Sequence, residues 1–144
     1  MQIFRITKNN LDNNNYYKGN NVFNGNLKID ESLLVRFKAN LEVKGFIYCG
    51  SLIADGSIKA GGSIEARYSI KAGGLIEASD SIEASDSIKA GLTIVGKTIS
   101  AGLRIFAGIS SWRIPKESET EIQCEKLIEG QVAFGKPVIV KSKL

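Results

Sequence analysis

From Ser51 onward the chain repeats apolar and polar positions every six residues, as SLIADG SIKAGG SIEARY SIKAGG LIEASD SIEASD SIKAGL TIVGKT. Leu52, Ile58, Ile64, Ile70, Ile76, Ile82, Ile88 and Ile94 hold one phase. Ala54, Ala60, Ala66, Ala72, Ala78, Ala84 and Ala90 follow two residues behind. After a one-residue slip the pair continues as Ile99 with Ala101 and Ile105 with Ala107. Residues two apart on a strand share a side. Each unit therefore reads as a short strand with Ile and Ala turned inward and Ser, Lys or Glu turned outward. β-branched isoleucine favours that pleated backbone. The dipeptides after each Ala are Asp-Gly, Gly-Gly, Arg-Tyr, Gly-Gly, Ser-Asp, Ser-Asp and Gly-Leu, mostly turn formers.

A helix does not fit this pattern. Six is not a multiple of 3.6, so the isoleucines would drift around a cylinder, and each interior glycine would cost about 1 kcal/mol. Flat hairpins of such short strands would leave long unprotected edges. Stacking each strand on the coil below removes both difficulties. The predicted fold is all-β: a single-stranded β-helix, or β-solenoid, with three strands per coil and irregular capping segments at both ends. A two-sided coil of twelve residues is the competing geometry, because SIKAGG recurs after twelve. The triangular coil puts Lys59 over Glu77, Glu65 over Glu83 and Lys71 over Lys89.

The pattern degenerates toward the flanks. Upstream, Val35-x-Phe37, Leu41-x-Val43 and Ile47-x-Cys49 keep paired inward positions, with Leu27-x-Ile29 as a candidate start. The larger residues Phe37, Val43 and Phe46 are expected inside wider first coils. Residues 9–26, rich in Asn, read as a loop or weak cap, and Ile3, Phe4 and Ile6 as a strand covering the first coil. Downstream, Trp112, Ile114 and Pro115 break the repeat and KESETE at 116–121 reads as a solvated loop. Ile122-x-Cys124, Val132-x-Phe134 and Val138-Ile139-Val140 are expected closing strands, with Trp112 plugging the last coil. One domain over 1–144 follows: an N-terminal cap with the first strands at 1–34, hexad coils at 35–109, and a C-terminal cap at 110–144.

Charge and composition narrow the chemistry. The chain has no histidine, which excludes Ser-His-Asp and Cys-His arrangements. Cys49 and Cys124 have no CxxC spacing and each follows an Ile by two, so both are expected as buried thiols and not as zinc ligands or a disulfide. The GLTIVGKT run at 91–98 is one residue short of a phosphate loop and lies in the repeat phase, so it reads as strand and corner. Glu77, Asp80, Glu83 and Asp86 recur at the repeat period and read as a solvated face. A stacked Asp80/Asp86 corner is the one weak calcium candidate, and it lacks the glycine-rich nonapeptide pattern. No enzyme activity, metal or cofactor is expected. No apolar run is long enough to span a bilayer, no secretory signal is evident, and a cytoplasmic location is expected.

The net charge of +4 is uneven. Residues 1–50 carry seven basic and four acidic side chains, against six of each at 51–108. A mildly basic N-terminal part hints at an acidic partner. Tyr68 beside Arg67 interrupts otherwise small corners, while Gly61-Gly62 and Gly73-Gly74 leave the backbone bare. Arg67, Tyr68 and Trp112, then Lys59, Lys71 and Lys89, are the candidate binding residues. The bland alternative is that these are isolated surface side chains.

Three resemblances bear on the repeat. Hexapeptide acyltransferases share the period, but here Lys or Glu follows the Ile and the catalytic histidine is missing. Bactofilins resemble it better in their alternating Ile-x-Ala units, which implies a polymer-forming scaffold. The chain most resembles small proteins of phages and mobile elements with GIKAG and GIEAG runs, matched by SIKAG at 57–61, 69–73 and 87–91 and SIEA at 63–66 and 81–84. That group is largely uncharacterised. By analogy it implies a non-catalytic inhibitor of a bacterial defence system, anti-CRISPR-like, in the host cytoplasm. Such an inhibitor would cover a host protein or protein–nucleic-acid complex. Homo-oligomers and direct nucleic-acid contact are left open.

Overall fold

A computed structural model describes residues 2–140, and over these the chain is a β-solenoid of parallel strands in three stacked faces. The third face is the simplest. It stacks β2 (Val22–Phe23), β5 (Leu41–Val43), β8 (Ile58–Ala60), β11 (Ile76–Ala78), β14 (Ile94–Val95), β16 (Glu121–Cys124) and β18 (Lys136–Ile139). The first face stacks β1 (Ile3–Ile6), β3 (Asn26–Ile29), β6 (Ile47–Cys49), β9 (Ile64–Ala66) and β12 (Ile82–Ala84). The second stacks β4 (Leu34–Phe37), β7 (Ser51–Ala54), β10 (Ile70–Ala72) and β13 (Ile88–Ala90). Two long strands, β15 (Thr98–Phe106) and β17 (Lys126–Phe134), run around the corner and add a rung to both of these faces.

The register is that of a three-sided coil. Ile58 pairs with Ile76, and Ile76 with Ile94, eighteen residues apart each time. A twelve-residue coil would have paired Ile58 with Ile70. The outward columns follow the expectation as well. Lys59 faces Glu77 with 3.9 Å between the charged groups, Glu65 faces Glu83, and Lys71 faces Lys89.

The interior is a lattice of aliphatic side chains. Ile58, Ile64, Ile70, Ile76, Ile82 and Ile88 are fully buried, with the alanines beside them, and no polar side chain is buried among the described residues. Each buried isoleucine contributes about 1.5–3 kcal/mol relative to exposure. Backbone groups pair from coil to coil, at corners as well as on strands. The Ile58 N–H donates to the Leu75 carbonyl at 2.9 Å, and the Tyr68 N–H to Gly50 at 3.0 Å. At Gly61 the coils approach so closely that a Cβ would lie 2.0 Å from the Lys44 carbonyl oxygen.

Stacking runs past both ends of the 35–109 block. Residues 9–26 are more than a loop: they include β2, and Tyr16 bridges to Arg36 on the second face. Phe4, Tyr17, Phe23 and Phe37 form a cluster with ring centroids 5.6–6.5 Å apart that closes the N-terminal end. Phe37 and Val43 are inside as expected, but Phe46 is exposed. Phe46 immediately precedes inward Ile47, and strand alternation turns it out. Trp112 does not plug a coil. The chain keeps its backbone hydrogen bonds to the coil below as far as Ser110, whose N–H donates to the Gly91 carbonyl at 3.0 Å, and re-enters the stack at Glu121, so Trp112 lies on the outside, 63% exposed. The 116–121 loop holds a 3₁₀ turn at Glu117–Thr120. The last four residues of the expected C-terminal cap lie outside the described residues.

Candidate binding face

Three strands per coil sort the outward side chains by face, and the sorting separates charge. On the second face the outward column reads Tyr16, Arg36, Ile53, Lys71, Lys89, Phe106 and Phe134. Arg104, in β15, adds a further cation, and among the described residues no Asp or Glu occurs in the strand segments of this face. The first face has Arg5 and Lys28 near the N-terminal end, then Tyr48, Glu65, Glu83, Ser100 and Glu129. The third alternates Glu42, Lys59 and Glu77. One face is therefore cationic, one is acidic over its C-terminal half, and one is internally compensated.

The cationic column is flanked by aromatic rings. Arg36 lies over the Tyr16 ring, 5.1 Å from its centroid, and Lys38 lies 5.4 Å from the same ring. Lys89 sits 5.2 Å from the centre of Phe106. Such contacts hold a cation without neutralising it. Between them Lys71 and Lys89 occupy adjacent rungs, with backbones about 4.8 Å apart.

Of the candidates read from sequence, Lys71 and Lys89 form the centre of this face. Tyr68 stands on its edge toward the first face, in a corner column between Gly50 and Asp86, and is exposed. Trp112 stands on the opposite edge, where its Nε1–H donates to the Gly73 carbonyl at 3.4 Å. Arg67 leans away: its guanidinium is 3.0 Å from Glu31 two coils below, while still 5.7 Å from the Tyr68 ring. That exposed pair contributes at most about 1 kcal/mol. Lys59 is on the third face, paired with Glu77. The bare glycine corners and Tyr68 do not form one row: Gly61-Gly62, Arg67-Tyr68 and Gly73-Gly74 occupy three different edges of the prism. Asp80 and Asp86 are also on different edges, Asp80 above Gly62 and Asp86 above Tyr68, so they form no stacked calcium corner. Arg36, Lys38, Arg104, Tyr16 and Phe106 were missed by the hexad pattern. Arg36 and Phe106 nevertheless hold the same outward phase as Lys71, which was the available signal.

Trp112 is held from behind. Arg113 lies 5.2 Å from its ring and forms a two-pronged ion pair with Glu119 at 2.8 and 2.6 Å. That guanidinium, with the Lys116 N–H, holds the Glu119 carboxyl down at about 2. Both cysteines are free and buried, and burial pushes the Cys49 thiol up to about 12 and raises that of Cys124. Neither is a poised nucleophile. Among the described residues no group of three or more Cys, Asp or Glu is placed to hold a metal ion, and no helix is long and apolar enough to cross a membrane. An open groove runs along the acidic face, lined by Glu65, Glu83 and Glu129 beside Tyr48 and Ser100. Comparison with family models, curated proteins and solved structures finds no match to this chain.

Proposed function

We propose that the chain is a non-catalytic binding protein that presents its cationic face to an acidic macromolecular partner and acts by covering that partner's surface. The observation that carries this reading is the pairing of Lys71 with Lys89 on a face without an acidic strand residue among those described. Like charges directly opposite in a ladder destabilise it, and glutamate at either position would instead attract its neighbour. The same repeat places Glu77 over Lys59 on the third face, so a compensated arrangement is accessible to this sequence. A binding role accounts for the uncompensated one. The resemblance to phage and mobile-element repeat proteins supports a partner in a bacterial defence system, occluded as a protein or protein–nucleic-acid complex.

The test is capture from host lysate with the tagged chain and with its Lys71→Glu, Lys89→Glu double variant. Partners retained by the first and lost with the second support the reading. Identical capture profiles refute it.

A bactofilin-like scaffold is the second reading. It draws on the apolar Ile128, Phe134 and Ile139, which are exposed in the last described coil. End-to-end stacking is opposed at the other end by the aromatic cluster around Phe23. It is opposed at the last coil by register shifts in β17 and by Lys126, Lys136 and Pro137 on its edge strands. Lysine, proline and bulges are the devices that keep strand edges from pairing. Light scattering separates the two readings: polymers that lengthen with concentration support the scaffold.

A further inference from the structure

The binding reading leaves the chemistry of the acidic partner open, and the arrangement of rings and cations on the face narrows it. We infer that the cationic face binds single-stranded nucleic acid, with phosphates along the Arg36–Lys71–Lys89–Arg104 ladder and bases against the aromatic rings at its margins. This rests on the binding-face reading above and names the ligand class.

Three observations lead there. The first is linearity. Arg36 to Phe106 covers four coil steps, roughly 19 Å at about 4.8 Å per step, and the whole stretch is free of acidic strand residues. Arg36, Lys71 and Lys89 share one column, with Ile53 between the first two and Arg104 two residues before the Phe106 rung, and such a line of cations tracks an extended polyanion better than it matches a compact acidic patch. The second is the rings. Trp112 is 63% exposed and Tyr68 42%, and they stand on opposite edges of the face. Trp112 is fixed in place by its indole hydrogen bond to Gly73 and by the Arg113–Glu119 pair behind it. Exposed aromatics beside a basic track form the sequence-tolerant stacking platform of single-strand binders. Duplex bases are already stacked on one another and have no use for them. The third is the absence of shaped recognition. None of five surface grooves among the described residues is lined by Lys71 or Lys89, and no polar residue of the face is buried as a whole, the Arg36 Nε being a buried nitrogen without a hydrogen-bond partner. Binding is therefore expected to be weakly sequence-dependent and strongly salt-dependent.

The test is fluorescence anisotropy with labelled twelve-nucleotide oligo-dT and oligo-rU and a duplex of equal length, with Trp112 emission as a second signal. With three or four phosphates neutralised, log K against log salt for the single strands should fall with a slope of about −2 to −3. Trp112 is the one tryptophan, and base stacking should quench it. Lys71→Glu with Lys89→Glu should weaken binding about ten-fold or more, and Trp112→Ala several-fold with the salt slope kept. A charge-matched control, Lys28→Glu with Lys44→Glu, lies off this face and should bind as the parent does. Circular dichroism melts of all variants keep loss of fold separate from loss of binding. No single-strand binding at low salt overturns the inference, as does equal loss in the control, or duplex bound as tightly as single strand with no Trp112 quenching. If the oligonucleotides fail while a protein is still captured through Lys71 and Lys89, the ligand class is wrong and the binding face stands. If both fail, the face itself is wrong.

Discussion

Ile70 and Lys71 are neighbours in one three-residue strand, yet substitution to alanine should give very different results. Ile70 is fully buried and pairs with Leu52 below and Ile88 above. Truncation to Ala removes three carbons, about 2.4 kcal/mol at ~0.8 kcal/mol per methylene. A cavity term adds to this. Both neighbouring rungs are held by coil-to-coil hydrogen bonds, from Leu52 N–H to Ser69 and from Ile70 N–H to Ser87. The gap can close only by compressing those ladders. The total should lie in the middle of the usual 2–5 kcal/mol range, near 3–4 kcal/mol. For a domain of this size that lowers Tm by about 10 °C. Lys71 points outward against Lys89, so Lys71→Ala should stay within about 0.5 kcal/mol, with a bias toward stabilisation because a like-charge contact is removed.

The assay is thermal and urea unfolding of both variants followed by the β-sheet circular dichroism band. Equal shifts for the two would refute the inward and outward assignment and the solenoid with it. A large loss at Lys71 alone would place the strand one residue out of register.

Further outcomes follow from the corners, the thiols and the 111–120 excursion. Gly61→Ala should destabilise by about 1–3 kcal/mol, because the new Cβ meets the Lys44 carbonyl at 2.0 Å. Gly62→Ala, with 3.2 Å to the Phe46 nitrogen, should cost less in the same urea titration. Cys49, its thiol pushed up to about 12 by burial, should resist a thiol reagent at pH 8 in the folded chain and react on unfolding, as timed mass spectrometry would show. Glu119 is held down at about 2, against an ordinary 4.5, because Arg113 and the Lys116 N–H favour the carboxylate. A depressed acid stabilises above its unfolded pKa, and that stabilisation is lost as pH falls through the folded value. Trp112 emission should therefore shift as pH falls from 4.5 to about 2, and Glu119→Gln should show the low-pH signal throughout.

The coil was legible because the repeat is local: Ile-x-Ala every six residues specifies strand, inward face and corner without long-range information. The three-sided register was only partly legible: an Ile and Ala interior fills a prism of that width and Lys59 over Glu77 favoured it, while Glu65 over Glu83 and Lys71 over Lys89 did not. Other features depended on contacts that no repeat encodes. Phe23 is buried by rings from Phe4, Tyr17 and Phe37, which come from distant points in and around an Asn-rich stretch. Trp112 was expected inside because it is large and apolar. The ten residues by which the step from Ile94 to Ile122 exceeds eighteen carry it outside instead. The candidate site was half legible. Lys71, Lys89, Tyr68 and Trp112 came from the sequence, but their common face did not. Arg36 holds the same outward place between two inward residues as Lys71, but the coil from Arg36 to Ile53 is one residue short of eighteen, so the strict hexad count does not reach it.

The charge pattern shows how the fold creates a property that the linear sequence conceals. Along the hexads the outward position reads Lys59, Glu65, Lys71, Glu77, Glu83, Lys89, three of each sign and neutral in sum. Winding at three per coil sends Glu65 and Glu83 to one face, Lys71 and Lys89 to another, and Lys59 with Glu77 to the third. Winding at two per coil would have mixed signs on both sides. The double variant Lys71→Glu with Glu77→Lys conserves composition, net charge and every inward side chain. It would nevertheless set a lysine opposite Lys59 and a glutamate opposite Lys89. The solenoid would remain, with the like-charge pair moved to the third face. If partner capture persists in that variant, charge segregation is not what the second face is for.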